Sequence, residues 1–113
     1  MSRKEKRKQL VAEADALIAL YHLKIVHVRK VDDDGDTHSK GGATVVYHKH
    51  NKKDRIIVLS VALVNDVDCY CKLQGRLVAA YKFHQSDRIT LRVPKNMPVA
   101  QFVKRTFYWM VQG

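Results

Sequence analysis

Hydrophobic positions along the chain change their period several times, and each change marks an element. Leu10, Val11, Ala14, Leu17, Ile18 and Tyr21 fall at helical spacing, with Glu13 and Asp15 off that stripe, which predicts a first helix over about residues 4–22. From Lys24 to Val31 (KIVHVRKV) the side chains become β-branched and alternating, which is strand chemistry. DDDGDTHSKGG then reads as an exposed acidic loop with three glycines. Residues 43–50 (ATVVYHKH) predict a second strand and residues 55–64 (RIIVLSVALV) a third, the most buried. The polar NKKD at 51–54 joins these two as a hairpin.

Asn65 or Asp66 next offers a side-chain oxygen to cap a helix running to about Phe83, with Asp68 near its positive end. Tyr70, Leu73, Leu77, Ala80 and Tyr81 share one stripe of that helix. A turn at 85–88 leads to a fourth strand over 89–93, with Ile89, Leu91 and Val93 inward. Pro94 and Pro98 bracket a short loop, and Pro98 suits the first turn of a last helix. On that helix Val99, Phe102, Val103, Phe107 and Met110 fall on one side. The order α-β-β-β-α-β-α implies an α+β fold, a small, mainly antiparallel sheet of about four strands with three helices covering one face.

At 113 residues the chain is expected to form a single domain over 1–113, long enough for one modest core. Its 21 Lys+Arg against 11 Asp+Glu leave a net charge of +10, which favours polyanionic partners, nucleic acid above all. Residues 1–8 (MSRKEKRK) carry +4 of this and read as a flexible basic leader. The remaining +6 sits on the body, where a basic face implies a shaped site. The apolar region 10–31 is broken by Glu13, Asp15, His22, Lys24 and Arg29, so no membrane span is expected, and the same acids argue against a signal peptide. Two cysteines only two positions apart cannot staple distant parts of a fold, which fits a reducing, cytoplasmic setting.

Two basic clusters stand out as candidate nucleic-acid contacts. Lys49, Lys52, Lys53 and Arg55 surround the hairpin turn, with His48 and His50 beside them and Tyr47 as a stacking surface. The alternative for these lysines is to guard a sheet edge against aggregation. Lys72, Arg76 and Lys82 lie off the apolar stripe of the second helix as a cationic ridge. Gly75, inside that helix, marks close approach of another backbone, and core packing between helix and sheet, with Arg76 solvated or paired to Asp68, is the alternative there. Phe107, Tyr108, Trp109 and Met110 are consecutive, so one helix face cannot bury all four. With Phe107 and Met110 in the core stripe, Tyr108 and Trp109 form a partner-binding patch, for another protein or a second copy, unless the helix packs in a cleft.

The run Asp68-x-Tyr70-Cys71-Lys72-x-x-Gly75-Arg76, preceded by VALVN and followed by LVAAYKF, resembles a stretch of small uncharacterised phage and prophage accessory proteins. In those, a strand ends in a polar turn and is followed by Asp-x-aromatic-Ser-basic-x-x-Gly-Arg and an Ala-rich helix. The likeness covers about residues 43–84, with Cys71 in place of the usual Ser. It implies a phage origin and a shared scaffold, and carries no mechanism.

Metal and catalytic readings find little footing, and no cofactor is expected. His48-x-His50 and Cys69-x-Cys71 offer zinc-type ligands, but on a helix positions i and i+2 point about 200° apart. Asp32-x-Asp34-x-Asp36 opens like a calcium loop, yet Thr37 and Ala43 stand where it needs Gly and Glu. There is no Gly-rich phosphate loop, and none of the six histidines sits in a nuclease-like motif, so an enzyme is not expected. The expected function is a basic phage-type protein acting on nucleic acid or on a host nucleic-acid–protein complex. The alternative is a protein-binding inhibitor of a host polymerase, nuclease or defence complex.

Overall fold

The computed structural model describes residues 2–31 and 33–112, with the side chains of all these except 38, 39 and 65–69. Seven elements follow in the expected order: α1 (Arg3–Leu20), β1 (Lys24–Val31), β2 (Thr37–Asn51), β3 (Ile56–Cys69), α2 (Lys72–His84), β4 (Ile89–Arg92) and α3 (Val99–Gln112). The strands form one antiparallel sheet in the order β1-β2-β3-β4. This is the α+β fold that the pattern predicts.

The helices cover both faces of the sheet rather than one. Val45 and Val46 are neighbours on β2 and point to opposite faces, yet both are fully buried. Val45 joins Val26, Val28, Ile57 and Leu59 in a core beneath Val103, Phe107 and Val111 of α3. Val46 joins Leu23 and Ala62 beneath Ala79 and Phe83 of α2. α1 lies on α2, with Ile18 and Tyr21 reaching the second core. The unbroken apolar runs of β2 and β3 are the signature of strands covered on both sides.

Two elements are longer than the pattern suggests. β2 extends back to Thr37, so much of the acidic Gly-containing segment is strand. β3 extends to Cys69, which moves the start of α2 to Lys72 and its N-cap to Cys71, a residue with no side-chain capping bond. Asn65 and Asp66 therefore lie in a strand and do not cap the helix; their side chains, with those of Asp68 and Cys69, lie outside the described residues. Register shifts between Arg29 and Val31 and between Lys40 and Gly42 absorb the irregular pairing at this end. The basic segment at the chain start is continuous with α1, whose cap is Ser2 accepting from the Glu5 N–H at 3.2 Å.

Helix faces also rotate from their expected stripes. α2 meets the sheet through Gly75, Ala79 and Phe83, while Tyr81 is exposed and donates to Glu13. Small residues carry little hydrophobic signal but allow the helix to lie close to the strands. On α3 the buried positions are Val103, Phe107 and Val111, and Met110 is 55% exposed. The spacing of four keeps Val111 over the core, whereas Met110 is rotated away from it.

Candidate functional site

The β2–β3 turn is built by Asn51. Its Oδ1 accepts from the Asp54 N–H at 3.0 Å and its Nδ2 donates to Asp54 Oδ2 at 3.1 Å, an Asx-type closure. Lys52 and Lys53 are thereby left exposed at the tip. Arg55 takes the left-handed conformation, φ 55°, and its guanidinium donates to the Met97 carbonyl, tying the hairpin to the loop before α3. Lys49, Lys52 and Arg55 line a cleft of about 270 Å³ with Ile56, Ile57 and Val99, the first residue of α3. β4 pairs Arg92 with Ile56, which brings the exposed Arg92 to the same end of the sheet.

From this cleft α3 runs along the sheet with its outer face basic and aromatic. Gln101, Lys104, Arg105, Tyr108 and Trp109 line an open groove of about 470 Å³. These positions recur at intervals of three and four, opposite Val103, Phe107 and Val111. Trp109 is 75% exposed, and its ring meets that of Tyr108 edge-on, with centroids 5.3 Å apart and planes at 81°. The partner-binding expectation for Tyr108 and Trp109 thus falls on a solvent-facing surface. Lys104 and Arg105 were missed by motif reasoning. The available signal is the absence of any Asp or Glu after Asp87, while Arg88, Arg92, Lys95, Lys104 and Arg105 all follow it.

Tyr47 is no stacking surface. It is only 5% exposed and belongs to the core under α3, and burial pushes its hydroxyl above the usual tyrosine value. β2 alternates, so Tyr47 points inward where Lys49 at the same face emerges beyond the edge of the core.

Lys72 and Arg76 are separated from the hairpin. They lie on α2, which covers the opposite face of the sheet from α3. Gly75, between them in sequence, touches Thr44, seven residues or about 23 Å along β2 from Asn51. Arg76 pairs with Asp15 of α1 at 2.5 Å, and Lys82 donates to the Val61 carbonyl at 3.0 Å. Arg76 and Lys82 of the expected ridge therefore hold α2 to its neighbours. The two basic clusters named from the sequence therefore lie on different faces of the sheet.

Beneath the start of α2 lies a polar cluster that no motif announces. The Tyr70 hydroxyl lies 2.6 Å from His27 Nδ1 and 2.9 Å from Thr44 Oγ1, and donates to the Ala43 carbonyl at 3.2 Å. His27 Nδ1 is also 3.1 Å from Thr44 Oγ1, and the Arg29 guanidinium lies 4.4 Å from the Tyr70 ring centre. Burial, reinforced by Lys72, Arg76 and Arg29, lowers the pKa of His27 and so favours its neutral form. Burial raises that of Tyr70, against the pull of Thr44 and Arg29. The cluster has the composition of an acid–base site, but its groups satisfy one another. Its evident role is to lock the entry of α2 onto β1 and β2.

Among the described residues no group of three or more His, Cys, Asp or Glu is placed to hold a metal ion, and no helix is long and apolar enough to cross a membrane. No protein-family model, curated protein or solved structure matches the chain.

Proposed function

We propose that this protein binds nucleic acid through the outer face of α3 and the adjoining β2–β3 hairpin. The observation that carries this reading is the shared groove of Lys104, Arg105, Tyr108 and the largely exposed Trp109. Cations neutralise phosphates and aromatic rings stack on bases, and this groove offers both on a rigid helix. Lys49, Lys52 and Lys53 extend the positive surface beyond the helix N-terminus. The overall charge of +10 supports the same reading. The protein acts by binding, without catalysis. The likeness of residues 43–84 to phage accessory proteins supports a phage origin and action in the host cytoplasm on nucleic acid or a complex containing it.

A second reading is favoured by the apolar part of the patch. Tyr108, Trp109 and Met110 are all exposed, which suits an anchor in a host polymerase, nuclease or defence complex that the protein would inhibit. The test is binding to labelled nucleic acid across a salt series from about 50 to about 200 mM, where affinity should fall with a slope of roughly 0.7–0.9 per phosphate contact. Replacing Lys104 and Arg105 by Ala should flatten that slope. No binding at the lowest salt would overturn the first reading and leave the inhibitor reading.

A further inference from the structure

We infer that the nucleic acid recognised by this groove is single-stranded, with unpaired bases stacked on Trp109 and Tyr108 and the backbone led by Lys104 and Arg105 toward the hairpin lysines. The inference rests on the nucleic-acid reading above and narrows it to one class of polymer.

The geometry of the two rings carries the argument. Their planes stand at 81° with centroids 5.3 Å apart, so each ring uses an edge or face on the other and leaves a further face open. Trp109, at 75% exposure, presents most of its indole to solvent. An open aromatic face has its best partner in the face of a base, and base faces are available only where the strand is unpaired. A helix that enters the major groove of a duplex reads base edges with hydrogen-bonding side chains instead. Gln101, Lys104 and Arg105 can all serve that purpose, but the open indole of Trp109 finds no base face to stack on in a duplex.

Charge placement fits a single strand as well. Arg105 and Trp109 are one helical turn apart, as are Lys104 and Tyr108, so each ring has a cation as its neighbour along the helix. A base on the ring thus leaves its phosphate beside a positive charge. From Trp109 back to Val99 is ten residues, about 15 Å of helix. At that end the cleft with Lys49 and Lys52 begins, which places further cations beyond the helix N-terminus.

Trp109 is the only tryptophan in the chain, so tryptophan emission, excited beyond the absorption of the tyrosines, reports this position alone. The full-length protein is titrated at about 50 mM salt with an unlabelled oligothymidylate and with a blunt duplex of equal length. The single strand should quench the emission to a saturating plateau, and the duplex should bind at least about ten-fold more weakly without that quench. With a fluorescein-labelled oligothymidylate followed by anisotropy, Trp109→Leu should weaken single-strand binding about ten-fold. Its far-ultraviolet circular dichroism should stay unchanged, because the ring is outside the core. Equal binding of duplex with unaltered emission would overturn the single-strand inference and leave the nucleic-acid reading standing. Failure of both polymers to bind would overturn both.

Discussion

Gly75 of α2 lies so close to Thr44 of β2 that a Cβ built on the glycine would stand 2.2 Å from Thr44 Oγ1 and 3.0 Å from its Cβ. Thr44 is fully buried and holds both His27 and Tyr70, so it has no free rotamer to yield. The contact sets how closely the helix approaches the sheet. Elsewhere in an exposed helix Gly→Ala gains roughly 1 kcal/mol. Here overpacking of about 1–3 kcal/mol should outweigh that gain, and Gly75→Ala should lower the urea midpoint. In a double-mutant cycle the cost should shrink when Thr44→Ala is also present. Additive losses would show that the two residues do not compete for the same space.

The cluster around His27 makes stability depend on pH. Burial and the nearby Lys72, Arg76 and Arg29 lower the folded-state pKa of His27 from 6.5, while Tyr70 and Thr44 hold the ring by hydrogen bonds. The unfolded chain therefore takes up the proton first as the solution is acidified. Stability is fully present above 6.5 and is lost as pH falls from there toward the folded-state value. The denaturation midpoint should drop between about pH 7.5 and about pH 5 more in the wild type than in His27→Gln. Parallel losses in the two proteins would assign the acid sensitivity to other groups.

Basic residues should separate into those that bind and those that hold the fold. Lys52 and Lys53 are exposed at the hairpin tip, and their joint change to Ala should reduce the salt slope by about 1.4 for a single strand while leaving the thermal midpoint unaltered. Arg55 donates to the Met97 carbonyl, so Arg55→Ala should cost about 1.5–3 kcal/mol in urea denaturation. Arg76 is on the far face and its pair with Asp15 is partly exposed, so Arg76→Ala should change stability by less than about 1 kcal/mol. It should not alter nucleic-acid binding. A loss of binding with Arg76→Ala would place the interface on α2 instead.

Much of this architecture is legible from period alone, and the failures have physical causes. Lys24–Val31 alternates cleanly and is a strand over those same residues. The end of β3 departs from the pattern because Asn65 and Asp66 are good capping residues, yet the strand continues past them to pair Cys69 with Lys40. The polar cluster was invisible because His27, Thr44 and Tyr70 come from three separate parts of the chain. Their meeting depends on the register His27 opposite Thr44 and on the path from β3 into α2. Of the candidate site, Lys49, Lys52, Lys53, Tyr108 and Trp109 could be named, since each sits in a local run. That they share a side of the molecule, and that Lys72 and Arg76 do not, follows from which face each helix covers.

The C-terminal end of α3 is fastened to an open strand edge by one side chain. Gln112 Oε1 accepts from the Val31 N–H at 3.1 Å, and Gln112 Nε2 donates to the Arg29 carbonyl at 3.2 Å. These two backbone groups belong to the outer edge of β1, which among the described residues pairs with β2 on its other side and with no further strand. The side-chain amide therefore supplies the donor and acceptor that a further strand would have offered, and it blunts the edge. It also sets the axial position of α3, since Val111 beside it is buried against the core. Gln112→Leu keeps the bulk but leaves one N–H and one carbonyl without this partner, at a cost of about 1–3 kcal/mol. Amide exchange at Val31 should speed up by about ten-fold or more, and protection at Val45 in the sheet centre should fall only with global stability. Unchanged exchange at Val31 would mean that water or another group replaces the glutamine, and that the helix is held by Val103, Phe107 and Val111 alone.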